Sequence, residues 1–117
     1  MTTEEPRLKP DVWVAAYMRT VQAAGAFAYL ARRGPEGVGS VLIKQVTGRQ
    51  ATIFTPAYMA DGRRGWLRGT GPEPVSEQDA DDYIQRALSR DPDIWVVEVE
   101  DLNGRHFLTE PVEGEQA

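Results

Sequence analysis

Two stretches of this chain carry a helical repeat, and the blocks between and after them are patterned for strands, a layout that decides most of what it can fold into. In the first, Pro10 and Asp11 suit an opening turn, because proline is tolerated at the first helical position and a carboxylate favours the positive end of the helix dipole. Trp13, Ala16, Tyr17, Thr20, Val21 and Ala24 then recur at the spacing of one helix face, and Gly25 closes the segment. In the second, Ser76 is a good N-cap, Asp79 follows three residues on, and Val75 can staple onto Ala80. Its stripe is Ala80, Tyr83, Ile84, Ala87 and Leu88, and Asp91-Pro92 ends it.

Between the helices, residues 27–33, 40–46 and 51–55 read as strands, the first two as an antiparallel hairpin around a glycine-rich turn, and Pro56 should end the third because it lacks a ladder donor. Residues 57–75 follow, nineteen in all with four glycines and two prolines, and show no sustained period apart from a short strand at Trp66-Leu67-Arg68. Loops of that length in compact domains are usually functional or mobile. After the second helix, residues 94–100 form a strand with Trp95, Val97 and Val99 on one face, and Asn103-Gly104 should return the chain antiparallel over 105–109.

The order α-β-β-β-(β)-α-β-β has no alternating βαβ rhythm. The expectation is an α+β fold, a largely antiparallel sheet of about five strands with its two helices covering one face. A chain of 117 residues fits one domain, set at 7–109. Residues 1–6 and the acidic 110–117 lack apolar periodicity and read as disordered tails.

Composition narrows the function classes. The absence of cysteine excludes disulfides, thiolate metal sites and a cysteine nucleophile, and fits a reducing compartment. No secretory signal or membrane span is visible, so the cytoplasm is the expected location. The net charge of −5 argues against bulk nucleic-acid binding, but the charges segregate: residues 6–72 carry net +7 and residues 73–109 net −7.

Candidate chemistry is sparse. His106 is the sole histidine, and Ser40, Ser76 and Ser89 all lie outside a Gly-x-Ser-x-Gly turn, so no serine triad is recognisable and His106 reads as structural. Glu98 and Glu100 share a strand face and are the weak candidates for a metal site, which together with Lys44 would faintly resemble metal-dependent nucleases; hard cations need more converging oxygens than these supply. Arg63, Arg64, Trp66 and Arg68, inside the long loop, are the candidate binding residues, since guanidinium groups fork onto anions and an indole anchors an interface.

Residues 7–109 resemble the alphaproteobacterial domain of unknown function family 1491. The likeness rests on Arg7-Leu8-Lys9 leading into Trp13-Val14-Ala15-Ala16-Tyr17, on Ala24-Gly25-Ala26-Phe27 with Arg32-Arg33-Gly34, and on residues 91–100 followed by Gly104-Arg105-His106-Phe107. What the resemblance implies is a bacterial, intracellular, single-domain protein; it brings no reaction, ligand or catalytic residue.

The leading expectation is therefore a non-catalytic interaction or adaptor protein, with an unidentified protein or a second copy of itself as partner, no cofactor and no membrane. One alternative is a nucleic-acid or nucleotide-binding module, which needs Arg32, Arg33, Arg49, Arg63, Arg64 and Arg68 on one surface. The other is a small metal-dependent hydrolase built on Glu98 and Glu100.

Overall fold

The structure, a computed structural model, describes residues 8–115; the expected tail over 1–6 and the last two residues lie outside them. The described residues form α1 (Pro10–Ala23), β1 (Phe27–Arg32), β2 (Val41–Thr47), β3 (Gln50–Tyr58), β4 (Arg64–Arg68), β5 (Val75–Ser76), α2 (Glu77–Arg90) and β6 (Trp95–Glu100). The fold is α+β, with a mixed, mostly antiparallel sheet in the order β1-β6-β2-β3-β4 and β5 paired to β3. Among the described residues, no helix is long and apolar enough to cross a membrane.

The centre of the sheet corrects the expected β1–β2 hairpin. β6 inserts between the two, antiparallel to β1 and parallel to β2. The reason lies in β6 itself, where Trp95, Val97 and Val99 point into one apolar cluster and Val96 into the other. A strand buried on both faces from Trp95 to Val99 belongs in the interior of a covered sheet. β1 buries Ala28 and half-buries Leu30 on one face only, which suits an edge.

The two helices therefore lie on opposite faces, not on one. α1 packs over Val41, Ile43, Phe54, Trp95, Val97 and Val99, whereas α2 packs over Leu42, Val46, Ala51, Ile53 and Val96. In α1 the buried line runs through Val14, Tyr17 and Val21, with Trp13 and Met18 partly buried beside it, so the expected stripe is rotated by about one position. In α2 the expected stripe holds: Ala80, Ile84 and Ala87 are buried, Tyr83 and Leu88 pack against them, and Ser76 Oγ accepts from Asp79 N–H at 3.1 Å.

Three further expectations change. β3 runs through Pro56 to Tyr58; its ladder with β2 stops at Ile43–Phe54, so on that side the proline has no partner to lose. Residues 57–75 are no long loop, because β4 pairs with β3 from Phe54–Arg68 to Tyr58–Arg64. Asn103-Gly104 does turn the chain, but no strand returns over 105–109. There Arg105 closes back on Asp101 through its main-chain N–H and a forked guanidinium at 2.8–3.0 Å, and Phe107 takes a φ of 61°. The segment crosses the α1 face instead, where Phe107 and Leu108 join the core and the Tyr17 hydroxyl donates to the His106 carbonyl.

Residues 110–115 belong to the folded body, where a tail was expected. Trp66 N–H donates to the Pro111 carbonyl and Glu113 N–H to the Trp66 carbonyl, both at 2.8 Å, so this segment lies along β4 as a parallel bridge. Val112 is buried. The outer edge of β4 is thus covered; β1 is the opposite edge of the sheet, and no described strand pairs with its outer side.

Candidate functional site

Each of the two central strands buries one charged residue, and the parallel register sets them side by side. Lys44 in β2 is paired with Glu98 in β6, both on the face covered by α2. Neither can be buried alone, because an unpaired charge in a core is strongly disfavoured. The Lys44 ammonium, 7% exposed, lies 3.3 Å from Glu98, 2.9 Å from Asp81 and 3.3 Å from Glu77, the last two supplied by the first turns of α2. Burial by itself lowers the Lys44 pKa, but the bond to Asp81 and the charge of Glu98 outweigh it and hold the ammonium above the ordinary lysine value of 10.5. A lysine so held is a permanent cation, unsuited to act as nucleophile or base at neutral pH.

Replacing Lys44 with methionine should therefore destabilise the fold by on the order of 3 kcal/mol, because it strands the Glu98 carboxylate beside Asp81 and Glu77. The folded-state pKa of Lys44 is raised, so its contribution is fully present below 10.5 and fades only as pH climbs through the raised value. Urea unfolding of both proteins should give the same difference across about pH 6 to 9. A methionine variant as stable as the parent would contradict this.

Beside this cluster, between α2 and β1, runs an open groove of about 300 Å³ whose walls include Ala31, Ile84, Leu88 and Val96, with Lys44, Asp81 and Glu98 at its charged part. β1 forms the rim. Alternation sends Ala28 and Leu30 toward α1 and leaves Phe27 and Tyr29 on the α2 face, past the reach of that helix. Phe27 is 58% and Tyr29 41% exposed, and their rings meet edge to face at 5.8 Å. The Tyr29 hydroxyl is held above its ordinary pKa, first by desolvation and then by its hydrogen bond to Glu98.

The candidate binding residues of the former loop are dispersed. Arg63 sits in the β3–β4 turn and closes on Asp61 at 2.6 Å, and Arg64 is exposed opposite Tyr58. Trp66 is buried at 6% exposure, 5.4 Å from the Trp13 ring, and its indole N–H donates to Glu110. Trp13 donates to the other oxygen of the same carboxylate, so Glu110 ties both indoles to the C-terminal segment. Arg68 lies over Phe54 at 5.5 Å and pairs with Glu115 at 2.8 Å. Trp66 and Arg68 thus fasten the end of the chain and do not face a partner together with Arg63.

The basic residues do not converge either. Arg49 lies in the β2–β3 turn and Arg63 in the β3–β4 turn, at opposite ends of nine-residue β3, roughly 30 Å apart at the rise of a strand. Arg32 ends β1 at the far edge of the sheet, held to the Pro92 carbonyl. His106 is absorbed structurally: Leu108 N–H donates to Nδ1, Nε2 faces Glu115 at 2.9 Å, and the ring stands edge-on to Phe54. Glu98 is engaged by Lys44 while Glu100 is exposed, and among the described residues no group of three or more His, Asp and Glu is placed to hold a metal ion.

Two features escaped the sequence reading. A single lysine in Val41-Leu42-Ile43-Lys44 and a single glutamate in Val96-Val97-Glu98-Val99 signal a buried pair, legible once the strands are taken as neighbours. Phe27 and Tyr29 are legible as same-face aromatics, but only strand order shows that they lie on an edge strand with no described strand on its outer side.

The family model described as a protein of unknown function (DUF1491) matches residues 8–109, and the chain belongs to that family. The crystal structure of a DUF1491 family protein from Caulobacter crescentus CB15 is similar at 47% identity and a TM-score of 0.81, covering 92% of this chain and all of that one. The NMR structure of a DUF1491 family protein from the same organism gives 47% identity and 0.80 over 94% of this chain and all of that one. Protein Atu0922 from A. tumefaciens, at 24% identity and a TM-score of 0.75 over 95% of this chain and all of that one, shares the fold. No curated protein matches the chain.

Proposed function

From the geometry of the β1 rim, we propose that this DUF1491 protein is a non-catalytic interaction protein that works through the open β1 edge and the aromatic face beside it. The observation that carries the reading is the exposed pair Phe27 and Tyr29 on a strand whose outer side no described strand occupies. Aromatics are enriched where protein surfaces make energetic contacts, and a free edge offers a row of main-chain donors and acceptors to an arriving strand. The opposite edge is closed by the chain's own residues 110–115, which leaves β1 as the side open to a partner. The Lys44 cluster supports the same reading, since its ammonium is taken up by Glu98, Asp81 and Glu77 and is not left free for chemistry in the groove. A bacterial cytoplasm is the proposed setting, in keeping with a chain free of cysteine.

The test is a photo-crosslinking side chain placed in the native host at position 29, with position 58, another exposed tyrosine, as control. The expected result is a discrete adduct from position 29 that disappears when Phe27 is also changed to serine, and none from position 58. No adduct at 29, or equal adducts at both, overturns the proposal.

A further inference from the structure

We infer that the partner on this edge is a second copy of the chain, paired β1 to β1 about a two-fold axis; this rests on the reading of the β1 edge as the working surface. The argument begins with charge. At one end of the edge, Glu100 of β6 is register-paired with Phe27; at the other, Arg32 is paired with Val96 and followed by Arg33. Along β1 and the residues paired with it, the edge thus carries a carboxylate at one end and two guanidinium groups at the other, the latter beside the Asp91-Pro92-Asp93 turn. A two-fold axis sets two copies of β1 antiparallel, which brings each basic end beside the other copy's acidic end, twice over. An edge polarised this way is its own complement.

The faces agree. Phe27, Arg32, Glu98 and Glu100 share the α2 face, because Phe27 pairs with Glu100 and Arg32 with Val96. With Tyr29 opposite its own copy, the Phe27 and Tyr29 rings of both chains gather at the axis. Arg32 then lies two strand spacings from the partner's Glu100, about 10 Å between backbones, a gap that an arginine and a glutamate span together once Arg32 exchanges the Pro92 carbonyl for that carboxylate. Only a short regular stretch is available. A bulge interrupts the register between Leu30 and Arg32, and Gln22 Nε2 donates to the Ala28 carbonyl at 3.3 Å. Both blunt the edge against indiscriminate strand addition and confine pairing to the short stretch around Tyr29.

The experiment is sedimentation equilibrium on the full chain and on Arg32→Glu and Glu100→Arg. The wild type should give a dimer mass, and each variant should weaken the dimer roughly tenfold or more by setting like charges against each other at both ends. Mixed in equal amounts, the two variants should restore it, since a pair made of one of each has opposite charges at both ends. As a measurement that does not depend on those variants folding, Tyr29→Cys, the sole thiol in a cysteine-free chain, should oxidise to a covalent dimer while Tyr58→Cys does not. A monomeric wild type, failure of the mixture to restore the dimer, or equal oxidation at positions 29 and 58 overturns the inference. A monomer that still crosslinks through position 29 to a different protein rejects the self-pairing alone, whereas no adduct at 29 rejects the surface as well.

Discussion

Trp95→Ala is expected to cost the fold about 3–5 kcal/mol, the range for truncating a large aromatic in a packed core. Trp95 is 1% exposed, opens β6 and lies in the cluster beneath α1. More than area is lost. The indole N–H donates to the Val38 carbonyl at 3.0 Å, and the Arg33 guanidinium lies over the ring at 5.2 Å. The connection from β1 to β2 is laid directly on the indole: a Cβ at Gly34 would come within 2.3 Å of it, so that glycine is required by contact. Truncation therefore opens a cavity and releases the segment that carries the chain past β6. At roughly 4–8 °C of melting temperature per kcal/mol for a domain of this size, the drop should exceed about 12 °C. A shift of a degree or two would refute the placement.

How much of this was legible depends on whether a feature is local. The N-cap at Ser76, the stripe of α2 and the common face of Trp95, Val97 and Val99 each follow from a few neighbouring residues, and each is found where expected. What was not legible is which strands are neighbours. Sequence adjacency favours pairing β1 with β2, but pairing is decided by burial: β6 is buried on both faces from Trp95 to Val99, whereas β1 buries one face and leaves Phe27 and Tyr29 exposed on the other. Once β6 is central, its second face must be covered, and α2 takes the side opposite α1. The Glu98 carboxylate, read as a weak metal candidate, then becomes the buried counter-ion of Lys44. The open edge at Phe27 and Tyr29 is a consequence of the same strand order, so no reading of residues 27–33 alone could have found it.

Residues 57–75 misled for a different reason. Their glycines suggested mobility, yet Gly65 and Gly69 are places of close approach. A Cβ on Gly65 would lie 2.2 Å from the Pro111 carbonyl oxygen, and one on Gly69 would lie 2.3 Å from the Tyr83 hydroxyl. Both approaches involve residues distant in sequence, so a local window sees only the missing side chain.

The same contacts set the second large effect, at Trp66. Trp66→Ala should cost about 3–5 kcal/mol, because the ring is buried against Trp13 in the α1-side cluster and its N–H is one of the two indole donors to Glu110. The backbone of the same residue bonds Pro111 and Glu113, so loosening Trp66 also loosens the segment that covers the β4 edge. Arg63 and Arg64 give the contrast. Both are exposed and Arg63 pairs with Asp61 within its own turn, so changing both to serine should move stability by no more than about 0.5 kcal/mol. Replacing all of Arg63, Arg64, Trp66 and Arg68 with serine should then unfold the domain about as readily as Trp66→Ala does, with a further loss from the Arg68–Glu115 pair. Urea unfolding of the three variants side by side decides between a contact loop and a core strand. Were the four-residue variant as stable as the parent, Trp66 would have to face solvent and β4 would lose its place in the sheet.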